Sequence, residues 1–249
     1  MPDEMQFYSE IKRKESIMNE DLAKQVLDKV VGQVFGYQNP LTLEQARAKF
    51  AFDRRLPQQV TDSTTGETTW SSARNAQKYI TLDNMNKRSN DDEWLLPARS
   101  LNNIDDVIAA WAETNFTATE RIVDSIRVAK SDNIMGSENV YNSFDIRNSK
   151  NILFTEGGQD LEYIVGGFSS ATSSFCIRVE ESQLITNSFS VNWSAKVSNS
   201  FFMQDCYDCM DCAFCSHLSG KRYCIANMQL DEETFKRLKT EIVKWILTS

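Results

Sequence analysis

The stretch from Ser131 to Asn227 constrains the fold most, because it counts in sixes. Ser131, Ser137, Ser143 and Ser149 fall six apart, and Ile134, Val140, Ile146 and Ile152 keep the same step three residues later. The rhythm returns as Ser182, Ser188, Ser194 and Ser200, with Ile185, Val191, Val197, Met203, Cys209 and Cys215. One apolar position per six residues fits neither a helical period nor plain strand alternation. It is what a coiled β-solenoid requires. Three units per turn give a coil of about eighteen residues, with Ile134 on Ile152 and Val191 on Cys209. Two give about twelve, with Ile185 on Val197. Either coil remains open on the pattern alone.

Between Thr155 and Tyr163 the sequence TEGGQDLEY interrupts the count, since Ile152 and Ile185 lie 33 residues apart, not a multiple of six. A loop at a coil corner would absorb the shift, with bends at Gly157-Gly158 and Gly166-Gly167. Ser and Asn suit corners, where short polar side chains bond the backbone and tolerate left-handed conformations. Stacked Asn residues can also bond one another along the axis.

The flanks read as helices, which makes the fold class α+β. Three regions are expected: 1–130, mainly helical with a loop near 60–69; 131–227, a short β-solenoid (β-helix) with a cysteine-rich end; and 228–249, a C-terminal amphipathic capping helix. Asn19 caps a helix carrying Leu22, Val26, Val30 and Val34 that ends near Gly36. Thr42 and Gln45 form a capping box for a second helix ending before Pro57, and the pair would hide Val30, Val34 and Phe50. A further helix is expected around Ser71–Tyr79, then an extended connector from Asn90 to Arg99. Asn103 caps a helix with Ile104, Val107, Ile108 and Trp111. Thr117 and Glu120 suggest another, ahead of Ile122, Val123 and Ile126. These last two are placed to cover the first coil. Asp231 opens the terminal helix, whose stripe holds Phe235, Leu238, Ile242, Trp245 and Ile246. Trp245, Ile242 and Leu238 are the candidate partner interface, with Trp245 as anchor.

The net charge of -8 argues against non-specific nucleic-acid binding, which draws on an excess of cations. The run Lys12, Arg13 and Lys14 reads as a solvated helix face. No apolar run is long enough to span a membrane, and the first residues lack the apolar segment of an export signal. The expected location is therefore the cytoplasm of a cell. In such a compartment the six cysteines are free thiols or metal ligands rather than disulfides.

Cys206, Cys209, Cys212 and Cys215, followed by His217 and Cys224, are the most chemically suggestive run. Paired CxxC knuckles hold structural zinc, so these four are the candidate metal ligands and zinc the one candidate cofactor. The knuckles overlap here, and no second pair lies at the usual distance. On the hexad, Cys209 and Cys215 extend the inward series, whereas Cys206 and Cys212 are of opposite parity and belong at corners or outside. Buried free thiols packing as small hydrophobes are the plainer reading. His217 is the sole histidine and stands beside no recognisable nucleophile, so no catalytic residue is assigned. A carbohydrate-cleaving β-helix would need grouped carboxylates; Glu156, Asp160 and Glu162 are the candidates.

The segments SSFCIRVEES, NSFFMQDCYDCMDCAFCSH and KRYCIANMQLDEETF resemble a group of uncharacterised Cys-rich short-repeat proteins of small-genome bacteria and tailed bacteriophages. The resemblance covers Ser131 to the C-terminus and includes the ending Lys221, Tyr223, Cys224, Ile225, Asn227 and Gln229. The chain lacks the N-terminal zinc ribbon of the bacterial members, since Cys176 is its first cysteine. The resemblance thus implies a phage-like role: a non-enzymatic scaffold among other protein chains of a virion or its assembly, with homo-oligomers allowed. The alternatives are a zinc-binding module and a β-helix enzyme acting on carbohydrate.

Overall fold

The computed structural model describes residues 18–88 and 94–248. The run Lys12–Lys14 and the start of the 90–99 connector lie outside them. Helix α1 (Glu20–Phe35) starts where the Asn19 side chain accepts from Leu22 N at 2.8 Å and ends at Gly36, whose φ of 73° is left-handed. Helix α2 (Leu43–Phe50) opens on the complete Thr42–Gln45 capping box. Val30, Val34 and Phe50 are buried as expected.

The next segment departs from expectation. The turn-rich stretch near 60–69 is a β-hairpin, β1 (Gln58–Thr61) against β2 (Thr68–Ser71). Its turn is tied by Asp62, a fully buried carboxylate that accepts from Thr64 N, Thr81 N and the Asn84 amide. Residues 71–79 form no helix. Strand β3 (Lys78–Thr81) follows, then a short helix α3 (Leu82–Lys87). Helix α4 (Ile104–Thr114) carries its Asn103 cap, but 117–126 is not helical: β4 (Phe116–Thr119) pairs parallel with β3. Ile122–Val123 and Ile126–Ala129 already belong to the first coils. The apparent capping box failed there because β-branched Thr117, Thr119, Ile122 and Val123 suit strands, and parallel pairing satisfied their backbone.

From Ile122 the chain winds a β-solenoid of about 9 turns. Each coil is twelve residues; the early coils hold two four-residue strands joined by two bends, and Ser174–Glu180, Thr186–Asn192 and Met210–Ser216 are longer strands of seven residues. Ile134 pairs with Ile146 and Val140 with Ile152, so the eighteen-residue alternative fails. The step continues through the supposed interruption. Phe144, Glu156, Phe168, Glu180, Asn192, Gln204 and Ser216 stack in one unbroken series. Gly157-Gly158 lies inside a strand, whereas Gly166-Gly167 is a bend.

The interior repeats every three residues, not every six. From Ser131 to Cys215 the residues facing inward are three apart, and every third residue from Asp124 to Ala226 has a positive φ. That left-handed residue precedes each inward one and resets the side-chain direction, so strand alternation is lost. Asn and Asp occupy many of these sites, which they tolerate better than other side chains. Four inward columns result, two apolar and two of Ser or Thr in the early coils. The roles then exchange. The column Ser131, Ser143 and Thr155 becomes Val179, Val191 and Met203, while Val140, Ile152 and Ile164 lead through Cys176 to Ser188 and Ser200. The 33-residue gap is this exchange, with no residue inserted.

Each inward hydroxyl bonds in two directions. Ser143 Oγ donates to Tyr141 O at 3.0 Å and accepts from Thr155 N at 3.1 Å, one coil further on. Ser131 and Ser137 repeat the motif, which satisfies bend amides that no strand partner reaches. Outside, Asn139 donates to Asn151 at 2.7 Å and Asn133 to Asp145 at 2.8 Å, the expected axial ladder.

One lateral face is apolar: Tyr141, Leu153, Val165, Ile177, Phe189, Phe201 and Ala213, again twelve apart. Helices α1 and α2 and the C-terminal helix α5 (Glu232–Thr248) cover it. Gly166 allows the closest approach, since a Cβ there would stand 2.2 Å from Phe50 O. Helix α5 begins where Asp231 accepts from Thr234 N, and it runs back along the side from Tyr223, which meets Phe235, to Phe202, which meets Trp245.

Candidate functional site

The cysteine run occupies one coil, and all four side chains face the interior. Cys206 and Cys212 therefore do not sit at corners or outside. Their expected parity assumed an alternation of two, and the left-handed residues Asp205 and Asp211 replace it with a step of three. Cys206 stands under Ser194 and Cys212 under Ser200, their backbone amides donating to those hydroxyl oxygens at 2.9 and 3.0 Å.

The thiols inherit the serine role. Cys206 Sγ lies 3.3 Å from Gln204 O, Cys209 Sγ 3.3 Å from Tyr207 O, Cys212 Sγ 3.3 Å from Met210 O and Cys215 Sγ 3.2 Å from Ala213 O. Each also reaches the carbonyl nine residues on, at 3.5 to 3.6 Å. The bond to the carbonyl two residues back is the one Ser137 and Ser143 make. Thiol and hydroxyl are thus interchangeable parts of one ladder, the thiol adding apolar volume.

Burial pushes the Cys176 thiol up to about 12 and raises Cys206 and Cys224 as well. Cys212 hydrogen-bonds Cys215, and that contact, followed by burial, drives Cys212 strongly upward. The same contact lowers Cys215. The raised thiols of Cys176, Cys206, Cys212 and Cys224 are poor nucleophiles, and each of these would have to lose its proton to bind a metal. Among the described residues no three His, Cys, Asp or Glu side chains stand as a metal-holding group.

This ladder gives a direct prediction. Replacing Cys206, Cys209, Cys212 and Cys215 by serine is expected to cost about 1 kcal/mol or less per site, with unchanged circular dichroism, because the hydroxyl keeps the same carbonyl partner. A structural zinc site would give collapse instead. Thermal melting of the fourfold variant, with elemental analysis of the wild type, separates the two.

The other candidates are scattered. His217 is 76% exposed, with Nδ1 3.8 Å from Asp205 Oδ2. Glu156 accepts from Arg55 N, while Glu162 lies on the opposite strand of the coil beside Lys150, so the three carboxylates do not converge. On α5, Ile242 is half-buried against the solenoid and Leu238 is half-buried, whereas Trp245 remains 54% exposed beside Phe202 and Phe214.

The most open apolar surface is elsewhere. Helix α4 buries none of its residues. Ile104 is 66% and Trp111 55% exposed, with Val107 and Ile108 beside them and Leu95, Leu96 and Leu101 in the preceding segment. The stripe was legible in the sequence, but the covering role expected for it is not what the fold uses it for. No helix of the described residues is long and apolar enough to cross a membrane.

Comparison of the chain with protein-family models, with curated proteins and with solved structures finds no match in any of the three.

Proposed function

We propose that this chain is a non-enzymatic scaffold, a rigid β-solenoid that works by docking to other protein chains of a larger assembly. The resemblance noted above suggests a tailed-bacteriophage virion or its assembly intermediates. The observation that carries the proposal is the uncovered face of α4, where Ile104, Val107, Ile108 and Trp111 present one apolar stripe. Contiguous exposed apolar surface of this kind marks an interaction site. Its surroundings select a protein over a membrane. Asp105, Asp106 and Glu113 flank the stripe, and anionic lipid would repel them.

Size-exclusion chromatography with light scattering on the full chain, and affinity capture from its native lysate, test the proposal. The wild type is expected to exceed its 28.5 kDa monomer mass or to retain a defined partner, and Trp111→Glu to abolish either. A monodisperse wild-type monomer whose captured proteins are the same as those of Trp111→Glu would overturn it.

A further inference from the structure

A second surface carries chemistry that scaffolding leaves unused. A groove of about 560 Å³ opens between α2 and the β1–β2 hairpin, lined among others by Arg47, Arg54, Arg74, Trp70, Phe52 and Gln59. An adjoining hollow of about 250 Å³ shares Arg47 and Trp70 and adds Lys130. The larger volume is in the range of small-molecule sites.

Its charge is opposite to that of the molecule. The chain carries 35 acidic residues against 27 basic ones, yet three guanidinium groups and no carboxylate line the groove. Arg54 is committed to structure, with Nε donating to Gly166 O at 3.1 Å and Nη2 paired to Glu180. Arg47 and Arg74 are not: neither side chain makes a hydrogen bond or an ion pair with another described residue. Two uncommitted guanidinium groups in one concave site suit a phosphate, whose oxygens they can take in paired hydrogen bonds. The same lining holds the half-buried Trp70 indole, a flat face with Lys130 Nζ 5.8 Å from its centre, and the exposed Phe52 ring, which the Arg178 guanidinium covers on one side at 4.6 Å.

We propose that this groove binds a phosphorylated small molecule bearing a planar ring, the chemistry of a nucleoside diphosphate. Arg47 and Arg74 take the phosphates and Trp70 takes the ring face. A long polyanion fits less well, because its path through the adjoining hollow meets Glu20 and Glu44.

Isothermal titration of the full chain at low salt tests this with three probes: adenosine diphosphate, inorganic pyrophosphate and a single-stranded oligonucleotide. Adenosine diphosphate is expected to bind saturably and more tightly than pyrophosphate or the oligonucleotide. Arg47→Ala and Arg74→Ala, both exposed positions whose loss leaves the melting temperature unchanged, are each expected to weaken both phosphate probes by at least about tenfold. Trp70→Leu is expected to weaken adenosine diphosphate while sparing pyrophosphate. The proposal is overturned by no saturable binding at millimolar ligand, by undiminished binding in the double arginine variant, or by tighter binding of the oligonucleotide. A Trp70→Leu protein that melts normally and loses no preference for the nucleotide would overturn the ring contact.

Discussion

Replacing Asp132 by alanine is expected to cost about 2–3 kcal/mol, below the penalty for a fully buried ion pair because the Arg121 side chain left behind is 40% exposed. Its side chain is fully buried in an early coil, and Arg121 grips it from Nε and Nη2 at 3.0 Å each. Ser72 N and Ser72 Oγ donate to the same carboxylate at 3.0 and 2.8 Å, tying the hairpin segment to the solenoid. Without it, Arg121 and the Ser72 amide lose their acceptor together. Chemical denaturation should show an earlier transition.

The same contacts fix a pH response. Burial alone would raise Asp132, but the bonds from Arg121 and Ser72 outweigh it and hold the carboxyl below its usual value. Asp62 is lowered in the same way, burial being outweighed by Thr64, Thr81 and Asn84. A carboxylate lowered by folding stabilises above its unfolded value of about 3.9, and that stability is lost as pH falls through the folded value. The N-terminal hairpin and first coils are therefore expected to loosen below about pH 4, and Asp132→Ala to remove part of that dependence.

Ile152→Asp is expected to abolish folding. Ile152 is fully buried between Val140 and Ile164 in the coils on either side. An unpaired carboxylate there costs several kcal/mol, comparable with the roughly 5–15 kcal/mol that holds a domain together. Lys150→Gln, two residues earlier and exposed, adds no negative charge between the flanking Glu138 and Glu162 and is expected to stay within about 0.5 kcal/mol of wild type. Far-ultraviolet circular dichroism of the pair reports the contrast. Equal behaviour of the two variants would contradict the assignment of inside and outside.

The solenoid was legible because its strongest signal, Ser and aliphatic residues at fixed spacing, is a packing requirement written once per half-coil. The finer structure was not. Ser columns become Val and Met columns halfway along, so a pattern tied to residue type sees a break where the backbone has none. Cys206 and Cys212 were misplaced for a related reason. Inward direction follows the left-handed residue before each of them, and no amino-acid type marks that conformation uniquely: Phe154, Arg178 and Trp193 adopt it too. The error at 117–126 is ordinary competition, since a capping-box pair cannot reveal a strand waiting to pair. Long-range choices were least visible. Nothing in residues 104–111 says that their stripe faces solvent, and Arg47 and Arg74 share no motif because the fold brings them to one groove.

Engineered disulfides test the twelve-residue coil most directly. Lys150 and Glu162 are neighbours on adjacent coils, so Lys150→Cys with Glu162→Cys should oxidise readily while the six native thiols stay buried and unreactive. Lys150→Cys with Phe168→Cys, eighteen residues apart and on opposite strands of the coil, should not. Efficient closure of the eighteen-residue pair, with none of the twelve-residue pair, would contradict the coil and the interior ladder built upon it.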